Sequence, residues 1–385
     1  MRTGPIAVFR SAIVLLLTVA FAACADEAET PVGPDLSITA HEQVPGGFSV
    51  YTQNVYLGGD TGPLFALDLS DTPAVIAATA DIWQDVQASD PVARMMEVVD
   101  EIEDSAPHMI GLQEMLRFIV LDAAFQPIGA VDFLATLESE IQARGLPYVT
   151  EVVQEATSAT MPLAFDPAVG ISRWLNFTDR LVTLRRTDVE PIESTGGVYA
   201  ARIPLGPLDV VRGWTRAAVE HAGTTFHFVN THLETQQAPP VQAGQAAELQ
   251  DVVLAGLEGI TVLVGDLNSD AAGEPGDATW TPTYGDLVDA GFIDSWEVAP
   301  PGVEKEGLTC CQDPGLTGAP QLYQRIDFVL VRASGDHGGV WGRQSGAFRA
   351  DIVGEEETDL TPGGLWPSDH AGLKASMLAP LWGGL

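Results

Sequence analysis

Positive charge is what this chain has least of. Among 385 residues only Lys305 and Lys374 are lysines, and lysine plus arginine total 18 against 53 aspartates and glutamates, for a formal net charge of −35. Such a surface repels polyanions at long range and argues against a tight, sequence-tolerant grip on nucleic acid, which relies on basic contacts to phosphates. Cysteine is scarce as well: Cys24, Cys310 and Cys311 are the whole set. Adjacent cysteines cannot staple distant segments together, so a disulfide framework is excluded. Their spacing does not supply the thiols and imidazoles of a structural zinc site. For Cys310 and Cys311, a vicinal disulfide and a buried, reduced pair both stay open. No internal repeat and no second domain boundary are found.

The amino terminus reads as an address. Arg2 and Arg10 precede an apolar stretch, Ser11 to Ala23, which is too short to span a bilayer and ends in small residues. Residues 1–23 are therefore expected to be a secretory signal peptide. Phe21-Ala22-Ala23-Cys24 resembles a bacterial lipoprotein signal, in which the cysteine becomes the lipidated first residue, although Phe21 replaces the usual Leu, Val or Ile. Ordinary cleavage nearby is the alternative. Residues 24–46 are polar and rich in Pro, Gly, Asp and Glu, as suits a flexible tether. The expected product is an exported, lipid-anchored envelope protein, or a secreted one, with a single domain over 47–380 and no protein partner.

Within that domain, short apolar runs end in residues fit for hydrolysis. In an extended strand, residues of equal parity share a face. Phe48, Val50 and Thr52 lead to Asn54; Ile110 and Leu112 lead to Glu114; Phe226 and Phe228 lead to Asn230 and His232; Val262 and Val264 lead to Asp266 and Asn268. Asp327 shares a face with Val329 and Val331, and Ser368-Asp369-His370 follows a Pro-rich loop. Laid side by side, these strands would gather carboxylates, carboxamides and imidazoles into one crevice, the composition of a metal-assisted phosphoryl-transfer site.

The motifs TQNV (52–55), LQE (112–114), NTHL (230–233), GDLN (265–268), RID (325–327) and SDH (368–370) occur in the order seen in the endonuclease/exonuclease/phosphatase superfamily. The chain resembles that superfamily over roughly 47–380, closely at the motifs alone. The resemblance implies a two-sheet α/β sandwich flanked by helices, of the deoxyribonuclease I-like four-layer kind. It also implies a divalent-metal-dependent phosphodiesterase or phosphatase, with nucleic acid, a phospholipid headgroup or a small phosphodiester as substrate.

Glu114, at a strand end, is the expected ligand of Mg²⁺ (or Mn²⁺ or Ca²⁺), since a hard cation favours one or two carboxylates and several waters. The resemblance adds Asn54 and Asp369 to that shell. Asp266 and Asn268, two apart, point to one side of an extended segment, where the acid can orient water and the amide can hold an oxygen. An Asx-turn closing the strand is the structural alternative. Asp327 is expected to pair with His370 and keep its imidazole charged. His232 matches a histidine that the resemblance assigns to proton transfer to the leaving group. Of seven arginines clustered between 173 and 216, Arg180 and Arg216 are the candidate phosphate binders. The site holds no evident covalent nucleophile, so direct attack by water is expected. A non-catalytic surface lipoprotein that keeps the fold for binding is the other reading.

Helical spacing of Val92, Met95, Met96, Val99 and Ile102 predicts a helix from Pro91 with a methionine stripe in the core. Helices are also expected over 131–144 and 241–257, strands near 148–154, 179–187 and 217–221, and long loops at 299–324 and 354–367 beside the site.

Overall fold

Alternating apolar runs bury one face each, and here two sheets bury those faces against each other. The computed structural model describes residues 47–206, 208–299, 306–334 and 348–378. The expected signal peptide, tether and Cys24 lie outside the described residues. In chain order the first half contains β1 (Gly47–Asn54), α1 (Gly62–Phe65), α2 (Thr72–Ala88), α3 (Pro91–Ser105), β2 (Met109–Gln113), β3 (Arg117–Asp122), β4 (Pro127–Asp132) and α4 (Phe133–Arg144). Then come β5 (Tyr148–Asp166), β6 (Gly170–Arg186), β7 (Glu190–Val198), the small hairpin β8 (Ile203–Leu205) and β9 (Leu208–Val210), β10 (Gly213–His221) and β11 (Thr224–His232). The remainder holds α5 (Pro239–Glu248), which runs into a π-helical turn (Leu249–Val253), β12 (Ile260–Asp266), α6 (Thr283–Asp289), β13 (Ile293–Asp294), α7 (Ser295–Val298), β14 (Asp327–Ala333), β15 (Phe348–Val353) and β16 (Gly372–Leu378). Among the described residues no helix is long and apolar enough to cross a membrane.

One sheet has the order β15-β16-β1-β2-β6-β3-β4, with β5 on the other edge of β6; the second has the order β13-β14-β12-β11-β10-β7. Phe48, Val50, Phe226, Phe228, Val262, Val264, Val329 and Leu373 form the core between them. Outside the first sheet, residues of α2, α3 and α4 bury Ile110, Leu112, Val182 and Leu184. Outside the second, Leu249 and Val253 bury Val229, Leu263 and Leu330. This is the four-layer α/β sandwich expected. The sheets approach each other closely at Gly111, where a Cβ would lie 2.7 Å from Val264 Cγ2 and 3.0 Å from Asn230 Cγ.

β6 is the long member of its sheet. β2 and β3 share one of its edges end to end: Met109 to Leu112 pair with Arg185 to Val182, and Arg117 to Asp122 pair with Thr178 to Arg173. β5 follows the opposite edge as far as Asp166 against Gly170. The strands expected at 148–154 and 179–187 are thus the base of a hairpin that continues well past them.

Helix α3 begins where expected, with Asp90 as N-cap accepting from Ala93 N at 3.3 Å and Pro91 in its first turn. Met95 is fully buried, but Met96 and Val92 are 41% and 50% exposed, so the stripe is narrower than its spacing suggests. The helix expected over 241–257 starts at the Pro239-Pro240 pair and ends sooner. Proline is tolerated in a first turn, where its missing N–H would have no partner. Helix α2 is additional to the helices expected; Asp71 caps it, accepting from Ala74 N.

Candidate active site

The polar strand ends meet at one edge of the sandwich. Asn54 closes β1 and Glu114 follows β2, and these two strands are parallel neighbours. Asn54 Nδ2 donates to Glu114 Oε1 at 3.3 Å and, across the gap between sheets, to Asp266 Oδ2 at 3.1 Å. Glu114 Oε2 accepts from Leu57 N at 2.7 Å, and Glu114 itself has φ +56°. The strand must turn sharply there to aim the carboxylate, and left-handed backbone is uncommon for such a residue.

From the second sheet, β11, β12 and β14 align His232 with Asp266, and Asp266 with Asp327. The Gly-Asp step is obligatory. Gly265 has φ +127°, and a Cβ there would lie 2.0 Å from Thr231 O. Beyond the strand Asn268, at φ +48°, donates from its backbone N to Asp266 Oδ1 at 2.8 Å and from Nδ2 to Leu233 O at 3.0 Å. The turn that could have been a purely structural closure therefore also presents Asn268 toward His232, with Nδ2 3.4 Å from Nε2.

His370 Nδ1 and Asp327 Oδ2 are 2.8 Å apart, both buried. Burial alone would discharge this imidazole, but the carboxylates of Asp327, Asp369 and Asp266 together hold its pKa well above the ordinary value. His232 is the opposite case. Its pKa is lowered by burial, by Arg212 and by His370. Arg212 Nη1 lies 3.1 Å from His232 Nδ1. A guanidinium only donates, so Nδ1 accepts and the ring proton sits on Nε2, which is 3.4 Å from Asp266 Oδ2. The two histidines of the site thus carry different charges.

Carboxylates outnumber cations here. Burial, then the neighbouring Asp327, pushes Asp266 up to about 7. Burial chiefly, with a contribution from Glu114, pushes Asp369 up to about 6. Asp327 Oδ1 is buried without a hydrogen-bond partner. A surplus of buried oxygen acceptors of this kind fits a hard divalent cation. Asp266, Asp327 and His370 offer ligand atoms within 4.8 Å of one another. However, a charged imidazole has no lone pair to give, and Asn54 turns its Nδ2 toward Glu114 and Asp266 while its Oδ1 accepts from Tyr56 N at 3.0 Å.

Of the loops expected near the site, the described part of the first, 306–324, contacts it, and the second, 354–367, leads into Ser368. Ser368 Oγ donates to Asn54 O at 2.7 Å and accepts from His370 N at 3.1 Å. Gln312 N donates to Asp369 O at 2.8 Å, and Thr309 Oγ1 accepts from Asp327 N at 3.1 Å. Cys310 and Cys311 are joined in a vicinal disulfide. Beneath these loops the buried Arg94 donates to the carbonyls of Val55, Tyr56 and Pro367.

The two arginines picked from the sequence are not brought into the crevice. Arg180 is buried, with its guanidinium donating to Met115 O, Leu116 O and Asp132, which braces the turn after Glu114. Arg216 lies on the outer face of its sheet, donating to Val253 O of the π-helical turn and reaching Glu193 at 3.8 Å. Arg212 is the arginine at the site. It is mostly but not fully buried, with its side chain 14% exposed, 3.4 Å from Glu234 and 3.9 Å from Asp179. No local signal separates it from its six clustered neighbours; the register that sets Gly213 opposite His232 does.

The model of the Endonuclease/Exonuclease/phosphatase family matches residues 52–370. No curated protein matches the sequence. Among solved structures, an endonuclease/exonuclease/phosphatase family protein from Leptotrichia buccalis is 11% identical with a TM-score of 0.49, covering 85% of this chain and 98% of that one. One from Bacteroides thetaiotaomicron is 15% identical, with a TM-score of 0.48 and coverage of 87% and 98%. TDP2 from D. rerio, complexed with single strand DNA product, is 16% identical, with a TM-score of 0.46 and coverage of 86% and 98%.

Proposed function

This chain belongs to the Endonuclease/Exonuclease/phosphatase family, and on that footing we propose that it is an exported hydrolase of phosphate esters, dependent on a divalent cation and using water as nucleophile. One observation carries the reading: Asp266, buried between two sheets, is approached at once by Asn54, His232 and the Asp327–His370 pair. Such convergence of acid, amide and two imidazoles is costly to bury and has no packing benefit.

Asn54, Glu114 and Asp369 would hold the cation, Mg²⁺ or alternatively Mn²⁺ or Ca²⁺. When bound it supplies charge neutralisation at the phosphoryl oxygens and a more acidic water. Asp266 orients and deprotonates the attacking water while Asn268 holds an oxygen beside it. The imidazolium of His370, steadied by Asp327, faces the negative phosphoryl oxygens. His232, with its proton on Nε2, donates toward the oxygens that gain charge as the ester bond breaks.

The acidic surface favours small or membrane-borne esters over long duplex DNA. Lipidation at Cys24, with residues 24–46 as tether, would keep the domain at the cell envelope. The decisive assay measures release from a nucleic acid, a phospholipid, a phosphoinositide and a small phosphodiester, in chelator and then with each metal restored. Hydrolysis of at least one, abolished by chelator and restored by metal, is the expected result. Full activity in excess chelator refutes the mechanism.

A further inference from the structure

β6 connects the crevice to the far end of the sheet. Glu114 stands at the level of Arg180, since Met115 N donates to Arg180 O. From there β6 runs back to Gly170, paired with β5 through several bulges, while β3 begins at Arg117 and lies along its other edge, with β4 outside β3. Four strands thus form an arm on the catalytic side of the sheet, ten residues beyond Arg180 and at most roughly 33 Å long. One face is packed through Phe118, Leu175 and Met161 in the helix-covered core.

The end of this arm is apolar and open to solvent. Phe125 and Ile128 of the β3–β4 hairpin are 54% and 55% exposed, and Phe165 and Val169 of the β5–β6 hairpin 62% and 65%. Phe125 stacks on Trp174 at 5.0 Å, which joins the two hairpins in one patch. Its charge sets it apart from the rest of the protein. Across residues 118–131 and 156–177 the only charged side chains are Asp122, Asp166 and Arg173, in a chain of net charge −35. A polyanion would find one cation there, so the rings of Phe125 and Phe165 lack the basic groove that must accompany them if they are to hold a nucleic-acid strand. A neutral apolar interface meets neither obstacle.

We propose that the end of this arm docks on a neutral lipid bilayer and holds the crevice against membrane-borne phosphate esters. This rests on the hydrolase reading above, which it narrows to lipid-surface substrates. The test uses the full chain carrying Cys24→Ser, so that no lipid at that position contributes, and phosphatidylcholine vesicles as probe. The parent should co-sediment with vesicles. The variant Phe125→Ser/Ile128→Ser/Phe165→Ser/Val169→Ser should partition at least about a hundredfold more weakly, because four apolar side chains no longer leave water. Its melting temperature and its hydrolysis of soluble bis(p-nitrophenyl) phosphate should not change. A second measurement avoids the quadruple variant: brominated phosphatidylcholine should quench tryptophan emission of the parent, and Trp174→Phe should remove most of that quenching. Equal partition of parent and variant, arm-dependent binding of single-stranded DNA instead of vesicles, or an arm-dependent dimer in vesicle-free sedimentation would each overturn the proposal. Hydrolysis of soluble ester without vesicle binding overturns the arm alone. Arm-dependent vesicle binding by a protein that cleaves no phosphate ester supports the arm and sinks the hydrolase reading.

Discussion

Asp266 and Asp327 stand directly opposite each other in the antiparallel ladder of β12 and β14. Like charges in that position destabilise a sheet, and here both side chains are almost fully buried. Each is offset by a different donor: His370 hydrogen bonds to Asp327, and Asn54 to Asp266. The pair is held in place by side chains from two other segments, at Asn54 and His370, which offset a juxtaposition that would otherwise destabilise the ladder.

Replacing Glu114 by Gln should weaken binding of Mg²⁺ or Mn²⁺ and lower turnover by about a hundredfold or more, since a neutral amide loses the charge attraction. The fold should survive, because the amide still accepts from Leu57 N. Calorimetric titration with metal, alongside thermal melting, checks both halves.

Asp327 touches no solvent and reaches the crevice through His370. His370→Ala and Asp327→Ala should each cost orders of magnitude in kcat, and the double variant little more than the worse single one. Additive losses in that cycle would mean that the two do not act as a unit.

Arg212 fixes the tautomer of His232 and faces Glu234 and Asp179. Arg212→Met should raise the pKa of His232, followed by NMR titration of its ring. It should also cost about 3–5 kcal/mol in stability, as when a buried charge loses its partner.

His108, buried beside Phe48 with its Nδ1 taking Ser49 N at 2.9 Å, has its pKa pushed down to about 3 by burial, Arg186 and His221. Above the ordinary value of about 6.5 it is neutral folded or unfolded and costs nothing. Between 6.5 and 3 only the unfolded chain takes up the proton, so stability falls as pH falls through that window. Urea melts from pH 7 to 4 should show the loss, and His108→Asn should flatten it.

Cys24→Ser should abolish fatty-acid labelling and weaken membrane retention while leaving the protein active, and what retention remains should depend on the apolar end of the arm. Undiminished retention of a Cys24→Ser variant that also lacks the four apolar arm residues would count against lipidation as an anchor.

Strand-end chemistry was legible because it is local. Parity along a strand fixes which residues share a face, and it groups Asn54, Asn230, Asp266 and Asp327 with the core between the sheets; it fails at Glu114, because Ile110 and Leu112 face the helices and only the turn at its positive φ brings the carboxylate to the crevice. The role of an arginine is not local. Arg180 and Arg216 resemble Arg212 in sequence, and only the pairing of β10 with β11 and of β6 with β2 decides which guanidinium faces inward. Helix α2 was legible in principle, since Asp71 and Pro73 mark its start, but its alanines gave no clear apolar stripe. The outer half of the β5–β6 hairpin escaped notice for a different reason: its exposed apolar residues break the inside-outside rule by which strands are recognised.

The continuity of β6 makes its length a gauge. One uninterrupted strand runs from the level of Glu114 to the hairpin tip, so the height of the tip above the crevice is counted in residues. Two residues added to each of β5 and β6 would raise it by about 7 Å with every side chain still on its own face, whereas one residue added to each would turn the faces over. A single added residue keeps the faces only where a bulge absorbs it, as the ladder already does between Thr150 and Val152 and between Glu155 and Ser158.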